Sequence, residues 1–242
     1  MQCIILAAGY ATRLYPLTEH FPKPLLSVGN YTILDRLLND IRDTVRPQSV
    51  TVVTNRRFAP LFETWRKQHG DAVRILDDGT DSNETRLGAV RDIDLAYRLH
   101  PDEDALVMAG DNILDFSLAG FVEFARLKGT SCVMCHPETN PERLRKTAVI
   151  TLDPDSRITS YVEKPTDPQG TMVVPPFYYL TAKDAGRIPE ALAQGVNPDA
   201  PGFFGAWLSG VTPMHAWRMP GRRYDIGDFK TYAEALVTFL GR

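Results

Sequence analysis

The first 110 residues alternate between two kinds of segment, and this alternation restricts the fold more than any other feature. The runs "CIILAA" (3–8), "SVTVVTN" (49–55), "AVRILDD" (72–78) and "DALVMAG" (104–110) are short and apolar almost throughout. Strands with one wet face alternate apolar and polar residues, so these runs predict strands covered on both faces. Between them lie segments of helical spacing. In "TILDRLLNDI" the residues Ile33, Leu34, Leu37, Leu38 and Ile41 fall on one stripe, and "FAPLFETWRKQ" and "TRLGAVRDIDLAYRL" behave similarly. The expected class is therefore α/β: a Rossmann-like, three-layer α/β/α fold with a mixed, mostly parallel central sheet.

After Asp111 the pattern changes. "FSLAGFVEFARLKG" reads as a helix, but "TSCVMCH", "TAVITLD", "RITSYVEK" and "TMVVPPFYYL" follow as strands, with a hairpin turn at "DPDS" (153–156). A helix "TAKDAGRIPEALAQ", a loop region rich in Gly and Pro, a strand near "MHAWRMP" and a closing helix "FKTYAEALVTFL" complete the chain. No internal repeat and no linker interrupt it, so residues 1–242 are read as one domain.

Charge and cysteine content exclude several classes. The net charge of −3 gives no basic field for a nucleic-acid backbone, and a polyanionic ligand must be met by a few local cations. The N-terminus has no basic region before its short apolar run, and no stretch approaches the ~20 apolar residues of a membrane span. A cytoplasmic protein with no membrane partner is expected. Three cysteines are too few for a disulfide framework. Cys132, Cys135 and His136 match a C-x-x-C-H pattern, but no second Cys/His pair exists, and residues three apart on a strand point to opposite faces. They are read as core residues.

The stretch "ILAAGYATRLYPLTEHFPKPL" (5–25) occupies the loop after the first strand, where open α/β sheets bind ligands. Ala7, Ala8, Gly9 and Ala11 let backbone approach a ligand closely, and Arg13 can bond phosphate oxygens. Pro16, Pro22 and Pro24 stiffen the rest of the stretch, so Lys23 is carried on a constrained arm. The pattern is neither G-x-G-x-x-G nor a P-loop. By itself "AAGYATR" reads first as a tight turn with a surface arginine; with Lys23 on its constrained arm the balance moves to a phosphate cradle.

"LAAGYATRLYPLTEHFPKPLLSVG" resembles the signature of the sugar-1-phosphate nucleotidyltransferases, roughly L-A-x-G-x-G-T-R-L-x-P-L-T followed by K-P-L. Four further segments follow in family order. "NETRLGAVRDI" (83–93) is similar to the base-recognition loop and "AGDNILDFSL" (109–118) to the G-D-N metal element. "VEKP" (162–165) is similar to the sugar-side E-K-P, and "YDIGD" (224–228) to W-x-D-x-G-T. The likeness is greatest to the glucose-1-phosphate thymidylyltransferase branch. It implies the nucleotide-diphospho-sugar transferase fold, with a nucleotide-binding half at 1–111 and an acceptor-binding half at 112–242. It implies a catalytic set of Arg13 on the triphosphate, Lys23 near the reacting phosphates and Asp111. Ala7, Ala8 and Gly9 would line the nucleotide, and Asn83 with Gly88 would face the base. Asp111 and Asp225 would hold Mg²⁺, Glu163 would bind sugar hydroxyls, and Lys164 would bind the acceptor phosphate. Asp228 is read as the cap of the last helix. The implied partners are a nucleoside triphosphate and a phosphorylated small molecule, a sugar 1-phosphate first; a homo-oligomer is left open.

Three departures stand out. Ala11 replaces the second signature glycine, so a left-handed backbone there would be strained. Pro175 and Pro176 remove two backbone donors near the acceptor, and Lys146-Thr147 stands where Tyr-Gly is frequent. They leave room for a cytidylyltransferase of phosphocholine or another phosphorylated alcohol, with Phe177, Tyr178, Tyr179, Phe203, Phe204 and Trp207 as a cage for a quaternary amine or simply as core. A non-catalytic nucleotide-sugar sensor is the reading from another class.

Overall fold

The computed structural model describes residues 1–70 and 72–241. The chain falls into two compact units: an N-terminal unit made of Cys3–Arg86, Ala109–Ala119 and the stretch from Pro220, and a central unit made of Met1–Gln2, Leu87–Met108 and Gly120–Met219. Each is a sheet with flanking helices.

In the N-terminal unit the strand Ser49–Thr54 lies between Gln2–Leu6 and Val73–Asp77. It pairs in parallel with the latter, Val50 opposite Val73 and Thr54 opposite Asp77. Val52 and Val53 are fully buried, which is why the run carries no polar alternation. The helix Ile33–Asp40 buries the predicted stripe and starts at a capping box: Asp35 N–H donates to Thr32 Oγ1 at 3.0 Å and Thr32 N–H to Asp35 Oδ2 at 2.7 Å. A short antiparallel ladder joins Asn112–Leu114 to Arg223–Asp225. The closing helix Phe229–Thr238 comes next, capped by Asp228 through the Thr231 N–H at 2.8 Å as expected. Leu14, Leu26, Val28, Ile33, Ile113, Ile226 and Ala235 form one apolar cluster under these loops.

The central unit orders its strands Ile158–Glu163, Ala148–Leu152, Met172–Val174, Ser131–Pro137, Phe177–Leu180 and Ala105–Ala109. All neighbours in that order are antiparallel, and Met214–Arg218 pairs in parallel with Ser131–Pro137. Only Ala148–Leu152 and Ile158–Glu163 are joined by a tight hairpin; the other antiparallel neighbours are brought together from distant parts of the chain. The "DPDS" hairpin closes with Asp153 Oδ1 accepting from the N–H groups of Asp155 and Arg157, both at 2.9 Å. "TMVVPPFYYL" is two strands rather than one, interrupted where Pro175 and Pro176 offer no N–H to a ladder. Cys132 and Cys135 are fully buried, and burial pushes both thiols up to about 11, as for inert core residues. No helix among the described residues is long and apolar enough to cross a membrane.

One expected loop is a helix. The Gly- and Pro-rich segment contains Pro201–Val211, with Pro201 at its first position. Its glycines oppose helix formation by propensity, but two of them are required by packing. A methyl group on Gly202 would collide with the Glu163 carboxylate, and one on Gly205 would lie 2.8 Å from the Tyr161 hydroxyl. The helix lies this close to the strand Ile158–Glu163 because it lacks those two side chains.

Backbone strain also locates two critical positions. Gly88 caps the helix Ala89–Tyr97 at φ 90°, and a Cβ there would sit 2.5 Å from the Pro198 carbonyl oxygen, an atom that already accepts from Val90 N–H. Ala11 adopts the left-handed conformation, φ 47° and ψ 42°, so the strain anticipated from its Cβ is present. Gly88→Ala is expected to lower unfolding free energy by at least about 2 kcal/mol, since left-handed strain adds to a backbone clash. Ala11→Gly relieves about 1–2 kcal/mol of strain and returns about 0.4–1 through the freer unfolded chain, a net gain of about 0.5–1 kcal/mol. Urea unfolding of the two variants checks both signs.

Candidate active site

The first loop leaves its strand under firm control. Ala7 N–H donates to Val53 O at 2.7 Å, and the buried Asn55 side chain donates to Ala8 O at 3.0 Å. A Cβ on Gly9 would meet nothing within 4 Å, so the backbone at Gly9 faces open space. Tyr10 turns inward against Phe58, and Leu14 is fully buried in the apolar cluster. With Tyr10 and Leu14 buried, Arg13 is left exposed at the surface of the loop. Its guanidinium nitrogens lie 3.9 Å from where a Gly227 Cβ would be, beside the turn after Asp225.

Lys23 arrives on its proline arm. Pro22 is extended, and Lys23–Leu25 make a single turn whose Pro24 and Leu25 are buried. Lys23 Nζ thereby reaches Asp111 Oδ2 at 2.5 Å, with the lysine side chain only 12% exposed. Gly110 permits the close packing, because a Cβ there would meet Ile5 at 3.1 Å and Pro24 at 3.5 Å.

Asp111 is the hub of a wider network. Asn112 Nδ2 donates to Asp111 Oδ1 at 2.6 Å, and Arg223 Nη1 donates to Asn112 Oδ1 at 2.5 Å. The same Nη1 pairs with Asp225 Oδ2 at 3.1 Å. Burial alone would raise the Asp111 carboxyl, but the charge and hydrogen bond of Lys23, with Arg223 beyond, outweigh it and hold the group below its ordinary range. In the ladder Asp225 faces Asn112, and Ile226 N–H donates to Asp111 O at 3.2 Å. Lys23, Asp111 and Asp225, remote in sequence, thus join one charged network, and Arg13 of the same unit lies beside the turn that follows Asp225.

Glu163, Lys164 and Gly88 belong to the central unit. Lys164 has a left-handed backbone, φ 49°, held by its N–H to Thr147 O at 3.1 Å. Its ammonium lies 3.3 Å from Asp199 Oδ2 and 5.5 Å from the centre of the Phe203 ring. The Glu163 carboxylate lies against Gly202, and Tyr161 on the same strand is buried against Gly205. Gly88 has the structural duty described above, whereas Asn83 is an exposed residue of the N-terminal unit whose Oδ1 accepts from Arg86 at 3.3 Å. Four of the six aromatic residues weighed as an amine cage, Phe177, Tyr178, Tyr179 and Phe204, are core residues. Trp207 donates its indole N–H to Gln194 Oε1 at 2.9 Å.

Two members of the network were missed in the sequence, Asn112 and Arg223. Asn112 stands inside "GDN", directly beside the aspartate assigned to the metal. Arg223 had a usable signal: aligned on Asp225, the W-x-D pattern places a tryptophan where this chain has an arginine.

Comparison with known proteins places the chain in a family. Residues 2–239 match the family described as nucleotidyl transferase. The UTP–glucose-1-phosphate uridylyltransferase AglF of Haloferax volcanii is 28% identical over 181 residues, 75% of this chain and 72% of the relative. The mannose-1-phosphate guanylyltransferase catalytic subunit beta of Drosophila pseudoobscura pseudoobscura is 27% identical over 245 residues, 99% of this chain and 62% of the relative. This chain spans less than two thirds of several curated relatives that it matches. Among solved structures, UDP-glucose pyrophosphorylase complexed with UDP-glucose superposes with a TM-score of 0.83 at 20% identity, covering 98% of this chain and 97% of the other, which establishes the shared fold. The match extends from the first strand to the closing helix, through the loops that carry the Lys23–Asp111 cluster, and on it the chain belongs to the nucleotidyl transferase family.

Proposed function

We propose that this chain transfers a nucleoside monophosphate from a nucleoside triphosphate to a sugar 1-phosphate, releasing pyrophosphate. The observation that carries the reading is the network of Lys23, Asp111 and Asp225 with Arg13 beside it, brought together from four separate segments of a family-matched chain. The relatives named for uridylyl and guanylyl transfer to hexose 1-phosphates support it.

An oxygen of the acceptor phosphate attacks the α-phosphorus; the new O–P bond forms as the bond to the β-phosphate oxygen breaks, and pyrophosphate departs with that electron pair. The attacking oxygen is already anionic, so no side chain has to remove a proton. The barrier is the approach of two polyanions, which positioning and charge neutralisation lower. Arg13 grips the triphosphate, Lys23 neutralises charge near the reacting phosphates, and Lys164 holds the acceptor phosphate. Glu163 accepts from sugar hydroxyls. Asn83 faces the base, and the open backbone at Ala7, Ala8 and Gly9 lets phosphate oxygens approach.

The donor set fits Mg²⁺, which takes one or two carboxylates and completes its shell with phosphate oxygens and water. Asp111 and Asp225 supply two carboxylates in one hydrogen-bonded network, and no group of three or more acidic, His or Cys ligands occurs among the described residues. When bound, the ion would neutralise phosphate charge.

A pyrophosphate-release screen crossing the common nucleoside triphosphates with phosphorylated sugars and alcohols tests the reading. Turnover is expected only with both substrates present; nucleotide-sugar binding without turnover for any pair would make the chain a sensor. Asp111→Asn is expected to cut kcat at least about 10²-fold with an unchanged circular dichroism spectrum, because one ligand charge is lost with almost the same shape.

Glu163 provides a pH test. Burial pushes its carboxyl up to about 7 from an ordinary 4.5, against the pull of Lys164 and with Asp199 adding to the rise. Between those values the folded chain binds a proton that the unfolded chain lacks, so this group's contribution to stability falls as pH rises from about 4.5 to 7. Glu163→Gln should remove that slope and gain on wild type above pH 7, measured by urea unfolding at pH 5 and pH 8.

A further inference from the structure

Both carboxylates assigned to the metal are already paired with a cation of the protein. Lys23 occupies Asp111 Oδ2 at 2.5 Å, and Arg223 occupies Asp225 Oδ2 at 3.1 Å. We propose that Lys23 and Arg223 are place-holding cations: they suppress divalent-metal binding to the nucleotide-free protein and exchange carboxylate for phosphate oxygens when a metal–triphosphate complex enters. The inference rests on the nucleotidyltransferase reading and deepens it, by specifying that the metal enters together with the nucleotide.

Charge makes the argument. Two carboxylates against Lys23 and Arg223 sum to zero, so a bare divalent ion entering the cluster meets two cations with no net attraction to offset them. A metal–triphosphate complex is itself anionic, and its oxygens can take over the two side-chain cations as the carboxylates turn to the metal. Each half of the exchange replaces one ion pair by another, so no charge is left stranded.

Arg223 is built for this duty. Its side chain is only 17% exposed, so it cannot simply swing into water. A guanidinium only donates, so its contact at 2.5 Å requires Asn112 to present its oxygen and hence turn its amide nitrogen toward Asp111 Oδ1. One cation thereby orients both carboxylates, Asp225 directly and Asp111 through Asn112. Its Nε–H is buried with no acceptor, so the guanidinium holds donor capacity that its present partners do not use.

The test reads metal binding rather than turnover. Mn²⁺ is titrated into the protein without nucleotide, and protein-bound ion is followed by water-proton relaxation enhancement. Arg223→Met should bind Mn²⁺ at least tenfold more tightly than wild type, Lys23→Met should shift the same way, and Arg223→Lys, which keeps the charge, should resemble wild type. Equal or weaker Mn²⁺ binding by a folded Arg223→Met would overturn the proposal. Wild type alone provides a second arm that needs no variant: its Mn²⁺ affinity should rise at least tenfold when a methylene-bridged, non-reacting analogue of the triphosphate substrate is added, and equal affinity with and without the analogue would also overturn it. A chain that releases pyrophosphate yet binds Mn²⁺ tightly without nucleotide keeps its activity assignment and loses this one.

Discussion

The contact between Lys23 and Asp111 is the constraint on which the N-terminal unit is organised. A 2.5 Å ion pair between two mostly enclosed side chains forms only if both backbones are delivered to within a fraction of an ångström. The chain achieves this by rigid means. Proline restricts the lysine arm on both sides, Pro24 and Leu25 bury its turn, and Gly110 removes the one Cβ that would hold the arm off the first strand. The apolar cluster of Leu14, Leu26, Ile113 and Ile226 then ties the first loop, the lysine arm, the Asp111 loop and the Asp225 turn to a common core. Charged groups that would repel or hydrate separately are held together by residues that carry no charge.

In the central unit glycine has the same function by a different route. Helix propensity argues against Pro201–Val211, yet Gly202 and Gly205 let its backbone press on Glu163 and Tyr161. Tertiary contact outweighs an intrinsic cost of about 1 kcal/mol per glycine. The same approach desolvates Glu163 and raises its carboxyl, so the packing device and the electrostatics of this carboxylate have one cause. The left-handed backbones at Ala11 and Lys164 belong to the same economy of shape: strain is tolerated in the loops that carry charged groups and is held there by hydrogen bonds to Ala11 O and from Lys164 N.

Much of this was legible residue by residue. The apolar runs, the stripe on Ile33–Asp40, the hairpin at Asp153 and the Asp228 cap are local effects, each decided by periodicity or by a side chain bonding its own neighbourhood. The small-residue loop with its two cations was legible because proline and glycine restrict backbone wherever they occur. Helix Pro201–Val211 was not, since its justification lies in Glu163 and Tyr161, on a strand far back along the chain. Arg223 was overlooked for a similar reason: an arginine beside a second arginine near the chain's end reads as surface charge until Asn112 and Asp225 are placed around it.

By itself, then, the sequence determined most of the strands and helices, that the first loop is tight and cationic, and which family's ordered motifs the chain carries, because these depend on backbone restriction and short-range spacing. The tertiary structure alone decided which charges meet. Lys23 pairs with Asp111 rather than with water, Arg223 bridges Asn112 and Asp225, and Glu163 is pressed against Gly202, because ion pairing and desolvation depend on distances across the core that spacing along the chain does not encode.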